Sequence, residues 1–578
     1  MSDGKIWRYG LQGLNKNFGP GAQSRPLPQK QTMRFDNFEL GLNMTDDPEG
    51  ISRESVALAV DLEIDERGRI VRAPGTTLFG TFYAVYEPKV MFVHHTTFGF
   101  DRLIFLDRIG NIGQRPTGFA PTLWSLLPGG LGTTVPRFSG VGYGDRFIFS
   151  DGIFVWSSGA ANTVLQESTV PAFEDATVAE GRLFVVKGSV VQWSGVNGFY
   201  PYQDFSSITS GGEQLISPES LNKTVAIRAM GLDFTAIFTT DGIWRGTPTG
   251  DPTRPLDFQR RVIGAGCVSK ETVQATPVGL IYLSEDGVHL FDGNNAPLIS
   301  QAINKDLLPL NIDPVADTGV SQYRSSYNPV SQRYYLHTNT ATYVFDIMKQ
   351  RWFKRSLICY GGVLINGLET ESMFISPLSQ LSKTFLFLGL EGVNTNTEYE
   401  DYDSLKYFGT EFTPFYEGPT SIDPSSKNLK MVSAVKVTYS GHGTLQLYLQ
   451  NQERQYEEAG PPIPLTLSTD LREEKITFLH TGELLGLKFA ILNGKLEIAA
   501  LELDWIPRGP NFSGQIRRAH FERAADGSFF ITDVPGPAYG WFYDDTVDPP
   551  EIVFDDTLVG PEFAVVGYDT DGSPFIEV

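Results

Sequence analysis

The sequence predicts an all-β protein: a β-propeller of six or seven blades, a small antiparallel β-sandwich after it, and an acidic C-terminal extension. Three observations predict this. Runs rich in Val, Ile, Phe, Tyr and Trp, broken by Gly, Asn, Asp and Pro, fill most of the 578 residues. One unit, an apolar run, a tight polar turn and a second apolar run, recurs through the middle. A later stretch alternates apolar and polar residues with period two. Helical periodicity is scarce, with Ser217–Met230 and Ala302–Leu308 as the short candidates.

Taken in order, residues 1–34 contain Trp7, Tyr9 and several Gly and Pro, and read as an extended arm. From Asp61 to Arg72, Leu62, Ile64 and Ile70 alternate with charged residues, the pattern of a hairpin. Its position suits it to supply strands to the last blade and close the ring, which leaves no open sheet edge. The recurring unit follows as Arg102–Gly113, Arg146–Trp156, Arg182–Trp193, Ala236–Arg245, Leu280–Phe291, Arg333–Phe345 and Thr384–Asn394. The turns centre near residues 110, 152, 188, 242, 287, 340 and 392, about 36 to 54 residues apart. Asp151-Gly152, Asp241-Gly242 and Asp286-Gly287 are expected to supply the positive φ that a two-residue hairpin needs. A four-stranded sheet repeated at this period is the mark of a propeller, because each blade covers the face of the next. The propeller is placed at residues 35–420.

Residues 421–510 read as the sandwich. Val435, Val437 and Tyr439 alternate with polar residues, as do Leu445, Leu447 and Leu449. Leu487, Phe489 and Ile491 lead through an expected Asn493-Gly494 turn into Leu496, Ile498, Leu501, Leu503 and Trp505, and Pro507 and Pro510 close the domain. The extension, residues 511–578, carries an internal echo, Phe542–Val547 and Phe554–Val559. Each copy pairs an aromatic with two aspartates, so Phe542, Asp544, Asp545, Phe554, Asp555 and Asp556 form the candidate interface.

Composition narrows the function. The net charge is −22, and twelve acidic residues with no Lys or Arg lie between Ala524 and Val578. Taking that −12 away leaves −10 for the 523 residues before it, a body with no electrostatic reason to grip a phosphate backbone. Two cysteines, Cys267 and Cys359, are too few for a disulfide scaffold. The first thirty residues lack the apolar core of a secretory signal, and no run of 18 apolar residues exists to span a membrane. A soluble protein made in a reducing cytoplasm is expected.

Catalytic constellations are weak. No nucleophile elbow, P-loop, His-Glu-x-x-His or dinucleotide fingerprint occurs, and Gly140, Gly142 and Gly144 lack the fingerprint spacing. The seven histidines are scattered; His94 and His95 are adjacent, and neighbours on a strand point to opposite faces. Asp145, Asp151, Asp241, Asp286 and Glu391 are the carboxylates a propeller glycosidase would draw on, but three precede Gly in turns, where Asp is favoured for backbone reasons. Asp569–Ser573 and Glu400–Asp403 gather oxygen ligands without completing a calcium loop. Trp156, Trp193, Trp244 and Trp352 recur at related places, which favours blade packing over a binding platform. No catalytic residue, metal or cofactor is assigned, and the chain is expected not to be an enzyme.

Three segments carry a resemblance: Phe38–Asn43 with Pro48, Arg53-Glu54 and Asp61–Gly75; Val262–Gly293; and Gly486–Gly509. Together they resemble β-propeller tail proteins of tailed bacteriophages, especially the nozzle (tail tubular, packaged-DNA stabilisation) proteins of short-tailed phages, over residues 34–510. The resemblance implies a structural virion protein in a homo-oligomeric ring, usually a hexamer, assembled in the host cytoplasm. The ring sits below the portal and adaptor, retains packaged DNA and conducts it during ejection. Implied partners are further copies of the chain, the adaptor and portal-side protein, and fibre or needle proteins, with double-stranded DNA passing without specific binding. The alternative is a carbohydrate-binding or carbohydrate-cleaving propeller such as a receptor-binding tail component.

Overall fold

The computed structural model describes residues 30–36, 38–44, 55–81, 88–95, 101–107, 112–116, 125–126, 138–158, 164–196, 201–206, 211–216, 223–308, 323–366, 383–389, 396–401, 404–418, 430–450, 455–482, 486–507, 518–523, 529–532, 541–544, 551–554, 565–568 and 574–577. They divide into two units: one of Gln31–Ile422 and Val432–Trp505, the other of Met1–Lys30, Asp423–Met431 and Ile506–Val578.

In the larger unit seven antiparallel sheets follow one another. Blade 1 comprises Pro88–His95, Asp101–Asp107, Ile112–Pro116 and Ser125–Leu126. Blade 2 comprises Ser139–Tyr143, Arg146–Ser150, Val155–Ser158 and Val164–Gln166, and blade 3 Asp175–Ala179, Arg182–Lys187, Val190–Trp193 and Gly212–Leu215. Blade 4 comprises Thr224–Met230, Phe234–Thr239, Gly242–Asp251 and Arg254–Ile263; blade 5 has three strands, Gln274–Thr276, Gly279–Ser284 and Gly287–Phe291. Blade 6 comprises Arg324–Asn328, Arg333–His337, Thr342–Asp346 and Arg351–Arg355. Blade 7 comprises Cys359–Asn366, Lys383–Gly389 and Asn396–Asp401, and takes its outer strand, Gly75–Thr81, from the N-terminal side. The first strand of each blade neighbours the first strand of the next, and that of blade 7 returns to blade 1. The protein is a closed, seven-bladed β-propeller.

Five of the recurring turns are the hairpins between second and third strands of blades 2 to 6, and those near 110 and 392 lie outside the described residues, between the paired second and third strands of blades 1 and 7. Second strands such as Phe234–Thr239 and Gly279–Ser284 are buried at every position. Their continuous apolar runs follow from being covered on both faces. One core cluster occupies each seam between blades 1 and 6; Phe184 and Trp193 of blade 3, for example, pack with Ile237, Leu256 and Phe258 of blade 4. Burying each such side chain contributes about 1.5–3 kcal/mol, far more than the turns that connect the strands.

Within 421–510, the described strands of Val432–Trp505 are hydrogen-bonded on to the propeller. Lys430–Gln450 and Leu487–Pro507 are each 21 residues long and lie in one curled sheet with Ile463–Gly482. Asn493-Gly494 is therefore not a hairpin turn. Gly441 (φ 91°) and Gly494 (φ 83°) bend both strands at one level, where a Cβ would lie 2.1 Å from Lys495 O and 2.3 Å from His442 O. Gln31–Phe35, Ile70–Arg72 and Phe415–Glu417 pair successively along Leu487–Pro507. Leu58–Val60 then joins Phe415–Glu417 to the outer strand of blade 6, Val60 facing Lys354. The arm thus gives way to strand at Gln31. The hairpin of Asp61–Arg72 serves this curled sheet, and the segment after it closes the ring.

Two further expectations are corrected. Thr224–Met230 is the first strand of blade 4, not helix, because it pairs antiparallel with Phe234–Thr239 and its Val and Ile suit a pleated surface; residues 217–222 lie outside the described residues. Asn304–Leu307 is indeed one helical turn. Positive φ occurs at Gly152 (87°) and Gly287 (135°), but Gly242 is needed for close approach instead: a Cβ there would lie 2.2 Å from Val262 O.

In the smaller unit, Arg518–Arg523, Phe529–Thr532, Val565–Tyr568 and Pro574–Glu577 form one four-stranded sheet, and Trp541–Asp544 pairs with Glu551–Phe554.

Candidate functional site

Charges on the buried strands bridge one blade to another. Asp175, 1% exposed, opens the innermost strand of blade 3. Its Oδ1 accepts from Ser139 Oγ of blade 2 at 2.6 Å, and its Oδ2 from the Ile227 amide of blade 4 at 2.8 Å. The Arg228 guanidinium donates to the same Oδ2 and to Lys270 O at 3.3 Å, while Lys270 Nζ donates to Glu174 O at 2.7 Å. Ser325 Oγ of blade 6 donates to Glu271 O at 3.0 Å, and Gln274 Nε2 of blade 5 donates to Ser325 O at 2.9 Å. A polar belt therefore ties the innermost strands of blades 2 to 6.

A second cluster sits where the curled sheet meets blade 6. Glu63, 3% exposed, ends a side chain between two guanidiniums: Oε1 accepts from Arg355 Nε at 3.1 Å and from its Nη2, and Oε2 lies 2.9 Å from Arg333 Nη2. Burial pushes the Glu63 carboxyl up, but Arg333 and Arg355 outweigh it and hold it below its ordinary range. Asp61 beside it adopts φ 58°. Its carboxylate accepts from Ser356 N and Ser356 Oγ, each at 2.7 Å, its amide donates to Lys354 O at 2.9 Å, and its carbonyl accepts from Ala73 N at 2.9 Å. The left-handed conformation costs on the order of 1 kcal/mol, which these bonds offset. The alternation of the hairpin reads as one wet face, yet Glu63 and Arg72 are buried. The available signal was a carboxylate inside an apolar run, Leu62-Glu63-Ile64, with arginines ending a distant aromatic strand.

The weighed carboxylates are engaged locally and stand apart. Asp151 Oδ1 accepts from Ile153 N and Phe154 N, each at 2.7 Å; Asp241 pairs with Arg260; Asp286 Oδ1 meets His289 Nε2 at 2.8 Å. Asp145 lies in the turn between the first two strands of blade 2, at the opposite rim of that blade from Asp151. Glu391 and Asp569–Ser573 lie outside the described residues, and Asp401 Oδ2 accepts from Thr77 Oγ1 at 2.6 Å. Among the described residues no three His, Cys, Asp or Glu side chains gather to hold a metal. Cys267 and Cys359 are buried free thiols that burial pushes up to about 12, so they stay protonated at neutral pH. Trp156, Trp193 and Trp352 are buried and Trp244 packs beside the seam of blades 3 and 4; Trp352 Nε1 donates to Ile299 O at 2.8 Å.

The candidate interface is placed in part. Phe542 faces Val553 and Phe554 faces Trp541 in the two-stranded pair, with Asp544 opposite Glu551 at its far end. Asp545, Asp555 and Asp556 lie outside the described residues.

No protein-family model matches the chain, and no curated protein matches it. Solved structures do. BBS1N in complex with ARL6DN, soaked with mercury, matches at 8% identity and a TM-score of 0.35 over 58% of this chain and 98% of that one. The same complex soaked with lead matches at 10% identity and 0.36 over the same shares. Hsv2 of Kluyveromyces lactis matches at 12% identity and 0.30 over 51% of this chain and 97% of that one. The fold assignment itself rests on the closed circuit of first strands.

Proposed function

We propose that the chain is a structural, non-enzymatic component of a bacteriophage tail, a nozzle subunit that forms a ring around the DNA path, retains packaged DNA and conducts it during ejection. The observation that carries this reading is the unbroken hydrogen bonding from blade 6 through Leu58–Val60 and Phe415–Glu417 into two 21-residue strands. It joins a closed propeller and a curled sheet into one stiff block, which suits a part that must hold its shape under load. The sequence landmarks at Phe38–Asn43, Val262–Gly293 and Gly486–Gly509 favour the same family. A net charge of −22 lets DNA pass without a grip on its phosphates. Further copies, the adaptor and portal side, and fibre or needle proteins are the proposed partners, with the virion tail as location.

Negative-stain imaging and native mass measurement of the chain with its adaptor test this, with closed rings of about six copies as the expected result. A monomer that cleaves or binds a surface polysaccharide would replace the proposal with the carbohydrate-directed alternative.

A further inference from the structure

The seam between blades 6 and 7 contains an imidazole that neither the polar belt nor the Glu63 cluster uses. We propose that His337 is an acid-sensitive latch, so that protonating its ring opens the seam between blades 6 and 7.

His337 ends the second strand of blade 6 and is 1% exposed. Its Nε2 lies 2.7 Å from Ser326 Oγ on the first strand. Its Nδ1 lies 3.1 Å from Thr342 Oγ1 on the third strand and 3.2 Å from Cys359 Sγ on the first strand of blade 7. Tyr335 stacks on the ring at 6.2 Å and 8°, and Phe387 of blade 7 meets it edge-on at 6.3 Å. Five strands from two blades therefore converge on one imidazole. A neutral ring suits them, since one nitrogen donates and the other accepts.

A cation does not suit them. Both nitrogens would become donors, which the Ser326 and Thr342 hydroxyls can accept but the Cys359 thiol accepts only weakly, and the charged groups facing the ring are already positive. Arg324 stands opposite His337 in register, and Arg355 comes from the fourth strand of blade 6. Among the described side chains of blade 7, the Cys359 thiol and the Phe387 ring make these contacts. The nearby carboxylates are engaged: Glu63 by Arg333 and Arg355, Asp61 by Ser356, and Glu271 by Lys270 and Arg324. His289 of blade 5 differs, because the Asp286 carboxylate lies 2.8 Å from its Nε2.

Burial, then Arg324 and Arg355, push His337 down from 6.5 to about 3. The closed seam takes no proton there until about pH 3, whereas an opened seam takes one below about pH 6.5. Acid therefore promotes opening between these two values, about tenfold per pH unit, and has no effect above the upper one.

The two free thiols provide the test, because Cys359 lies in this seam and Cys267 in the seam of blades 4 and 5. The full chain is treated with a dipyridyl disulfide at pH 7.5 and pH 4.5, and labelling of each cysteine is followed by mass spectrometry. The ratio of Cys359 to Cys267 rates cancels the reagent's own pH dependence and should rise about 100-fold at pH 4.5. A constant ratio overturns the proposal. In His337→Gln the ratio should be flat with pH, and a rise equal to that of the unaltered chain also overturns it. If that variant does not fold, the ratio in the unaltered chain decides alone.

Discussion

Replacing Glu63 by Gln removes the one negative charge held between Arg333 and Arg355 while keeping the side chain's shape. Arg355 is fully buried, and its guanidinium would lose the carboxylate that pairs with it directly, whereas Arg333 is 14% exposed and can turn its head toward water. The cost is therefore set mainly by Arg355. Breaking one buried ion pair by removing one partner costs about 3–5 kcal/mol, against a total stability of about 5–15 kcal/mol. Urea unfolding followed by tryptophan fluorescence should show the midpoint of Glu63→Gln falling by about a fifth or more with little change in slope. Replacing both partners, Glu63→Leu with Arg355→Met, should recover most of the loss, since an apolar pair of similar volume leaves no orphaned charge. The pH dependence has a definite sign. The Glu63 carboxyl is lower in the folded chain than its ordinary 4.5, so its contribution is full above that value and is lost as pH falls through the folded one. The unaltered chain should thus lose stability below about pH 4.5 more steeply than Glu63→Gln. A loss under about 1 kcal/mol in Glu63→Gln, or a double variant weaker than the single one, would refute the reasoning.

Two other outcomes are expected. Gly494→Ala places a Cβ 2.3 Å from His442 O at a positive φ, whereas Gly188→Ala, also at positive φ, meets nothing within 4 Å. Thermal unfolding should show a loss of about 1–2 kcal/mol for Gly188→Ala and a clearly larger one for Gly494→Ala. A fragment of residues 421–510 should give an unfolded NMR spectrum, because Phe35, Phe38, Ile70 and Tyr416, which fill its core, lie outside it; a fragment of residues 31–505 should give a folded one.

Much of the propeller was legible because its signals are local. A turn and its two flanking runs lie within a dozen residues, so all seven central hairpins could be found from spacing and turn chemistry. The partners of each strand were less legible. Ile70 reads as one side of a hairpin whatever lies beyond, and nothing near it in the chain specifies Ile498 as its neighbour. The same limit hid the charged clusters: Glu63 and Arg355 lie 292 residues apart, and only the fold makes them a pair. Within the helix candidate Ser217–Met230, the Ala and Met residues of Thr224–Met230 favour helix, and pairing with Phe234–Thr239 outweighs that preference. At Gly242 the residue was recognised but its reason was not, since close approach to Val262 depends on a β-bulged neighbour.

The outer strand of blade 7 has a consequence for the order of events in synthesis. Gly75–Thr81 leaves the ribosome early, yet its partner strand, Asn396–Asp401, is translated more than 300 residues later; the Thr77–Asp401 bond spans 324 residues. At about 5–20 residues per second the early strand waits tens of seconds for its mate. Throughout that interval it is a strand-forming segment with unpaired amides, open to mispairing with another nascent chain. The exchange that completes blade 7 with a strand from the far side of the sequence therefore leaves that strand waiting longest for its partner.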